Sequence, residues 1–276
     1  MVRAAIRSGI LSGLFAGITL ANAASACAQD WNGNHGVRPA VSSHVGESGQ
    51  PSQDDPDEVP PLIVTGDFNR DGIADIARIT SQAQGSSEPN RLIVLLGQTN
   101  GTFKTMTSQS VPKRTPRAMV GGDFNNDGIP DLIVGNEDGT LTLFLGDGTG
   151  RFNSVHEITH LESVISIAVA DFNKDGILDI AVSDWRASSV TILLGDGKGS
   201  FGHMWSFPLR MRGTKPHIAA ADFNGDRVLD LAVIYDEDEG DTFDVMLSNG
   251  NGTFTIAPER GFTRDPNSHC NTLVAR

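Results

Sequence analysis

From residue 62 onward, short runs of apolar residues alternate with polar turns rich in Gly, Asn and Asp, and this pattern recurs four times. In the second recurrence the apolar runs lie at 118–122, 131–135, 140–145 and 152–158. Short runs bounded by such turns are typical of β-strands. No stretch of the sequence within 61–257 combines the 3.6-residue apolar period of a helix with capping residues. The pattern therefore predicts an all-β fold with four short strands in each unit.

Two polar elements recur in each unit at intervals of about 50 residues. A nine-residue acidic element begins at Asp67, Asp123, Asp171 and Asp222. A glycine-rich turn, typical of a β-hairpin, follows and ends in Phe103, Phe152, Phe201 and Phe254. Four-stranded sheets of this length, arranged radially, form a β-propeller. We expect a β-propeller built of four-stranded blades, with four repeats visible at about 61–113, 114–162, 163–210 and 211–257, so that the propeller is small or incomplete.

Phenylalanine occupies the same two slots in every unit. Of 13 phenylalanines, eight lie at position 2 of the acidic element or at the end of the hairpin turn: Phe68, Phe124, Phe172, Phe223, Phe103, Phe152, Phe201 and Phe254. A recurring slot predicts a recurring packing role, so we place all eight in the core between sheets; an aromatic platform for a ligand is the alternative. The first strands are rich in Gly and Ala, as expected where sheets converge on an axis.

The acidic elements have oxygen-bearing side chains at positions 1, 3, 5 and 9. Hard oxygen ligands spaced along a short loop suit calcium. The alternative is a set of Asx turns without metal, because Asp and Asn also bond to their own backbone. Since three acids on nine residues would repel each other without a cation, we expect up to four Ca²⁺ ions, one per loop. The predicted ligands, including the backbone carbonyl of position 7, are Asp67, Asn69, Asp71, Ile73 and Asp75; Asp123, Asn125, Asp127, Ile129 and Asp131; Asp171, Asn173, Asp175, Ile177 and Asp179; and Asp222, Asn224, Asp226, Val228 and Asp230.

An EF-hand begins in the same way but requires Glu at position 12 and a following helix. Position 12 here is Arg78, Val134, Val182 or Val233, within strand-like runs, which excludes the EF-hand. Glycine fills position 6 in three loops and permits the sharp turn. Arg227 takes this position in the fourth loop, with Gly225 nearby as a possible compensation. We therefore expect the fourth calcium site to be the weakest or distorted.

These acidic loops, with a Phe-Asn pair inside them and Gly-Asp-Gly hairpins between them, resemble the FG-GAP/VCBS repeat family over about 61–257. The resemblance implies a β-propeller like the integrin α-subunit head, with calcium in the loops. It also implies extracellular adhesion, and binding of protein or carbohydrate. Relatives with full propellers usually have about seven blades, so the sequence does not decide whether these four blades close into a ring.

The first 60 residues differ in composition from the repeats. Residues 1–28 combine Arg3 and Arg7, an apolar run and a small-residue cleavage site, which predicts a Sec-type signal peptide and a secreted, periplasmic or cell-surface location. The apolar run is too short for a membrane span, and Cys27 offers a weak lipoprotein alternative. Residues 29–60 are predicted as a disordered linker. The formal net charge of −13 argues against nucleic acid and anionic membranes as partners.

No sequence pattern points to catalysis. His156-Glu-Ile-Thr-His160 matches the zinc-protease pattern, but it falls on a predicted strand, where residues four apart cannot share a zinc ion. We therefore expect a non-enzymatic binding or adhesion module for protein or glycan. The alternatives are a propeller domain of a polysaccharide lyase or hydrolase, or a truncated repeat protein without its own activity. Residues 258–276 form a tail in which 271–275 resemble a closing strand or the start of a fifth repeat.

Overall fold

The fold is all-β, as predicted. The computed structural model describes residues 43–44, 62–80, 90–106, 109–111, 114–210, 215–235 and 242–257. Within these ranges, 18 strands form four antiparallel sheets, and there is no helix. No described segment is therefore a helix of the length and apolarity needed to span a membrane.

Each sheet is a meander in which consecutive strands pair. The first sheet contains β1 (Ser43–His44), β2 (Leu62–Gly66), β3 (Asp75–Thr80), β4 (Arg91–Gly97), β5 (Phe103–Thr105) and β6 (Gln109–Ser110), with β6 paired to β4. The second contains β7 (Pro116–Gly122), β8 (Asp131–Asn136), β9 (Thr140–Gly146) and β10 (Phe152–His160). The third contains β11 (Val164–Ala170), β12 (Asp179–Asp184), β13 (Ser189–Gly195) and β14 (Phe201–Pro208). The fourth contains β15 (Pro216–Ala221), β16 (Asp230–Tyr235), β17 (Thr242–Ser248) and β18 (Phe254–Ile256).

The four strands predicted for the second unit are confirmed, each starting or ending within two residues of its predicted bounds. The strand β10 continues beyond residue 158 because its pairing with β9 extends to His160 opposite Thr140. The register of this pair shifts between Phe152 and Ser154 and again between Glu157 and Thr159, as in a β-bulge. The hairpin prediction is therefore correct in type, and the irregularities were not visible in the sequence.

The apolar cores lie between neighbouring sheets. One cluster joins the first and second sheets through residues such as Val64 and Phe144, a second joins the second and third, and a third joins the third and fourth. The first strands β2, β7, β11 and β15 lie side by side in that order. Among the described residues no core cluster joins the fourth sheet to the first. The described strands thus form an open array of four propeller blades.

The phenylalanine prediction holds for six residues and is wrong for two. The loop Phe of one sheet packs against the hairpin Phe of the next, with ring centroids 5.5 to 5.9 Å apart in Phe68–Phe152, Phe124–Phe201 and Phe172–Phe254. In contrast, 50% of the surface of Phe103 and 45% of that of Phe223 are exposed. The physical reason is their place at the two ends of the array, where no other described sheet supplies the second ring.

Small residues in the first strands make room for side chains from the loops. A Cβ atom added to Gly122 would lie 2.7 Å from Leu178 of the third sheet and 3.0 Å from the ring of Phe124. Crowding by these loop side chains is therefore a local reason for the Gly and Ala enrichment. Several predictions lie outside the described residues: the signal peptide, Cys27, most of the linker and the tail, including 271–275.

Candidate metal centre

Each acidic loop connects the first strand of its sheet to the second. In the first loop, the backbone N–H of Asp71 donates to Asp67 Oδ1 at 3.0 Å and to Asn69 Oδ1 at 3.1 Å. The N–H of Gly72 donates to Asp67 Oδ2 at 2.9 Å. The loop thus turns around the side-chain oxygens of positions 1 and 3, which face a shared amide.

The side chain of position 5 completes this arrangement. Asp71 accepts the N–H of Ile73 at 2.8 Å on Oδ1 and the amide of Asn69 at 2.8 Å on Oδ2. The second and third loops repeat these bonds to within 0.2 Å. The predicted ligands at positions 1, 3 and 5 are therefore brought together on one turn in each of these loops.

The carboxylate of position 9 lies at the start of the second strand and has a bracing role that the sequence did not reveal. Asp131 accepts the N–H of Phe124 at 2.9 Å on one oxygen and the N–H of Gly146 at 2.9 Å on the other. It therefore ties the loop to the third strand of the sheet. The same pair of bonds is made by Asp75, Asp179 and Asp230, and all four carboxylates are fully buried.

Burial makes three of these carboxylates, those of Asp75, Asp131 and Asp179, costly to ionise. Burial raises the pKa of Asp131 and of Asp179 to about 7, and the nearby carboxylates of positions 1 and 5 push in the same direction. The two accepted amide bonds oppose this shift but do not cancel it. A cation close to the loop would favour the charged form, because an opposite charge lowers the pKa of a carboxyl group.

The fourth loop differs at positions 4 and 6. All four loops have left-handed backbone at both positions. In the first three, a side chain stands at position 4 and glycine at position 6; in the fourth, Gly225 has φ of 84° and Arg227 has φ of 67°. Gly225 therefore removes the strain of left-handed backbone at position 4. Arg227 retains this strain at position 6, which costs a residue with a side chain about 1 kcal/mol of folding free energy. The N–H of Gly225 donates to Asp222 Oδ1 at 2.6 Å here, whereas in the first three loops the N–H of position 5 donates to the corresponding oxygen. The backbone of the fourth loop is therefore altered, and a weaker calcium site there stays a prediction.

We predict that Arg227→Gly raises the free energy of unfolding by about 1 kcal/mol, because it removes this left-handed strain. Gly176→Arg is the matched control at the same position of the third loop. There, φ is 84° and no atom lies within 4 Å of an added Cβ, so the loss of about 1 kcal/mol should arise from the backbone alone. Urea unfolding in the presence of a chelator measures both; changes of equal sign in the two variants would contradict this account.

The acidic loops also accept hydrogen bonds from the neighbouring sheet. The carbonyl of the loop Phe accepts an N–H from the hairpin glycine of the next sheet: Gly150 to Phe68 at 2.9 Å, Gly199 to Phe124 at 3.0 Å and Gly252 to Phe172 at 3.1 Å. The loop therefore contributes both a ring and a carbonyl to the same junction. The recurrence of Phe at position 2 was the available sequence signal for this junction.

The donor set fits a hard cation by its chemistry. In the described part of the chain, no three Asp, Glu, His or Cys side chains form a ready-made metal cluster. Each loop instead offers two acids, the amide oxygen of position 3 and the carbonyl of position 7, all of them oxygen ligands of the kind calcium takes. The position 9 carboxylate has one accepted N–H on each oxygen, so each oxygen retains a lone pair.

The other sequence candidates do not form a site. The zinc-protease pattern lies on β10, where residues four apart are about 13 Å from each other.

An open depression of about 230 Å³ lies against the first and second sheets, and its lining has no acidic residue: Leu92, Val94, Gln109, Gly150, Arg151, Phe152 and Asn153. This depression therefore lacks the pair of carboxylates used by glycosidases.

The chain is similar to curated proteins over part of its length. A segment of 121 residues, 42% of this chain, is 29% identical to Cartilage acidic protein 1 of Xenopus tropicalis and covers 19% of that protein. A segment of 184 residues, 60% of this chain, is 27% identical to Cartilage acidic protein 1 of Mus musculus and covers 28% of it. The chain thus spans less than a third of the length of these relatives.

Comparison of the fold and of the repeats gives the family. A solved structure of an Agrocybe aegerita lectin, described as recognising non-reducing terminal N-acetylglucosamine, matches 72% of this chain and 52% of its own, with a TM-score of 0.50 and 19% identity. This likeness supports the propeller fold. The model of the FG-GAP-like repeat matches residues 67–134, 123–182 and 179–233, in succession and over more than half of the chain. With its four acidic loops and inter-sheet phenylalanines, the chain belongs to the FG-GAP-like repeat family.

Proposed function

We propose that this chain is an extracellular binding module whose propeller blades are stabilised by calcium in the acidic loops. The ligand is a carbohydrate or a protein, and the chain has no catalytic role of its own. The observation that carries the proposal is the fourfold recurrence of oxygens at positions 1, 3 and 5 on one turn, next to a buried carboxylate at position 9.

Calcium is favoured by charge as well as by ligand type. The net charge of the chain is −13, and the four loops contain 12 of its acidic residues. Bound cations would offset the repulsion within each loop and favour ionised Asp131 and Asp179. The proposed ligands in each loop remain positions 1, 3, 5 and 9 and the carbonyl of position 7. Calcium would compete with the backbone amides that these oxygens now accept.

The extracellular location has two supports. The first 28 residues have the composition of a signal peptide. The curated relatives are named for cartilage, a tissue that consists largely of extracellular matrix. Calcium sites with affinities in the millimolar to sub-millimolar range are typical of extracellular modules, which suits loops whose position 5 is exposed.

A binding role is supported by the kind of protein that shares this fold. The structural neighbour is a lectin, so carbohydrate is the first ligand class to test. A polysaccharide lyase or hydrolase would need acid and base groups converging on one cleft. The depression between the first two sheets does not supply them, which favours binding over catalysis.

The test is a glycan array probed with the full chain in calcium and in a chelator. We expect binding to a defined set of glycans in calcium, reduced at least about tenfold in chelator because the loops order the blades that form the surface. A variant with Ala at position 5 of all four loops is the control and should behave in calcium as the parent does in chelator. Absence of binding to any glycan would reject a carbohydrate ligand, and turnover of a bound glycan would reject a purely binding role.

A further inference from the structure

The two ends of the four-sheet array are the two halves of the junction that recurs inside it. We define the head face as the outward side of the first sheet, with Ile76, Leu95 and Phe103. We define the tail face as the outward side of the fourth sheet, with Phe223, Val245 and Leu247. Each of these residues has counterparts in the other sheets that lie in an internal junction, as their registers show.

The head face matches the side that an internal sheet turns toward the sheet before it. Ile76 corresponds to Leu132, Ile180 and Leu231, which are all fully buried in the cores between sheets. Phe103 corresponds to Phe152, which is 2% exposed, whereas Phe103 itself is 50% exposed. The head face therefore has the residues of a junction, but none of the four described sheets covers them.

The tail face matches the opposite side. Phe223 is 45% exposed, but its counterparts Phe68, Phe124 and Phe172 are at most 1% exposed. Val245 corresponds to Val94, Leu143 and Ile192, each buried against the following sheet. The tail face thus presents the ring and the apolar strip that receive a hairpin at the three internal junctions.

The backbone follows the same division. At each internal junction a hairpin glycine donates its N–H to the carbonyl of the preceding loop Phe. Within the described residues no acidic loop precedes the hairpin of the first sheet, and Gly101 donates instead to the carbonyl of Gln98 of its own turn at 2.9 Å. Gly101 is exposed, whereas its counterparts Gly150 and Gly252 are buried. Head and tail are therefore complementary in both rings and hydrogen-bonding groups.

We propose that two copies of this chain associate head to tail, with the head face of each on the tail face of the other. Two junctions of the internal type would then close eight sheets into one ring, within the four to eight blades that propellers have. A head-to-tail contact of this kind is heterologous and forms a ring when the rotation closes. Closure also covers sheet faces whose exposure favours association.

One residue of the head face differs from the valine found at the same position in the other three sheets, and its replacement tests the proposed junction. Arg78 lies on the head face, is exposed, and occupies the position of Val134, Val182 and Val233 in the other sheets. A charged side chain at this position weakens a junction that valine would complete, because its charge must be desolvated. Arg78→Val should therefore tighten the dimer, by about tenfold in Kd.

The experiment is sedimentation velocity of the full chain across a concentration series, at about 150 mM salt so that repulsion between the two acidic copies is screened. We expect a dimer. Phe103→Glu and Phe223→Glu should each raise the Kd of the dimer by about a hundredfold or more. The effect is large because the closed dimer contains two head-to-tail junctions, and either substitution changes both of them. Met204→Glu is the control: Met204 is 57% exposed on β14, away from both faces, and its replacement should leave the dimer unchanged.

Mixing the two phenylalanine variants separates a head-to-tail pair from a head-to-head or a tail-to-tail pair. A mixed pair has one unmodified junction, so heterodimer should reappear when Phe103→Glu and Phe223→Glu are combined, although each alone is monomeric. Circular dichroism should show all variants folded, because both rings are exposed in the single chain. A monomeric parent at all concentrations, a dimer that only one of the two variants disrupts, or no recovery on mixing would overturn the proposal.

Discussion

Removing calcium should lower the free energy of unfolding by about 6 kcal/mol, the largest effect that we expect for this protein. A ligand at ten times its Kd stabilises the folded state by RT ln 11, or about 1.4 kcal/mol, and there are four loops. For a domain of this size, such a loss lowers the melting temperature by roughly 12–24 °C. Thermal unfolding in calcium and in a chelator measures the difference.

The physical reason is the crowding of carboxylates on each loop. Positions 1 and 5 are acids in all four loops, and position 9 adds a buried acid. Burial raises the pKa of Asp75, and it raises the pKa of Asp131 and of Asp179 to about 7. The quadruple position 5 variant, with Ala at Asp71, Asp127, Asp175 and Asp226, is the control and should melt at the same temperature in calcium and in chelator. A parent protein whose melting is also insensitive to chelator would contradict calcium as a staple.

The second large effect is expected for Asp131→Ala, which should lower the free energy of unfolding by roughly 4 kcal/mol in the absence of calcium. The carboxylate of Asp131 is the acceptor for the backbone N–H groups of Phe124 and Gly146, and it is fully buried. Each buried amide left without an acceptor costs about 1–3 kcal/mol. Urea unfolding in chelator isolates this loss from any contribution of the metal.

Asp127→Ala is the matched control, because Asp127 lies in the same loop but is exposed. Its partners, the N–H of Ile129 and the amide of Asn125, can turn to water, so the loss in chelator should stay below about 1 kcal/mol. In calcium, Asp127→Ala should lose a further increment of about 1.4 kcal/mol as one site disappears. Equal losses for Asp131→Ala and Asp127→Ala in chelator would contradict the bracing role of position 9.

The repeat made much of this fold predictable. Alternation of apolar runs with Asn-Gly and Asp-Gly turns predicted the strands of the second sheet to within two residues, because turn chemistry and strand length are local properties. The recurrence of Phe at two slots predicted their packing between sheets. These predictions depend on short segments that recur, so each copy checks the others.

What the sequence did not predict depends on position within the whole array. Phe103 and Phe223 occupy the same repeat positions as their buried counterparts, and they are exposed because no further described sheet packs against them. The bond from Gly146 to Asp131 joins residues 15 apart in sequence, so spacing within the loop gave no sign of it. Arg227 was recognised as a departure, but the exchange of roles with Gly225 required backbone angles.

The central claim is that calcium binds in the acidic loops, and isothermal titration of the metal-free protein with calcium tests it most directly. We predict four sites, three of similar affinity and a weaker fourth because Arg227 and Gly225 alter that loop, and no heat from binding in the quadruple position 5 variant. Magnesium should bind more weakly, since it prefers a smaller and more regular octahedral site. Titration of a folded, metal-free protein that shows no calcium binding would contradict the account.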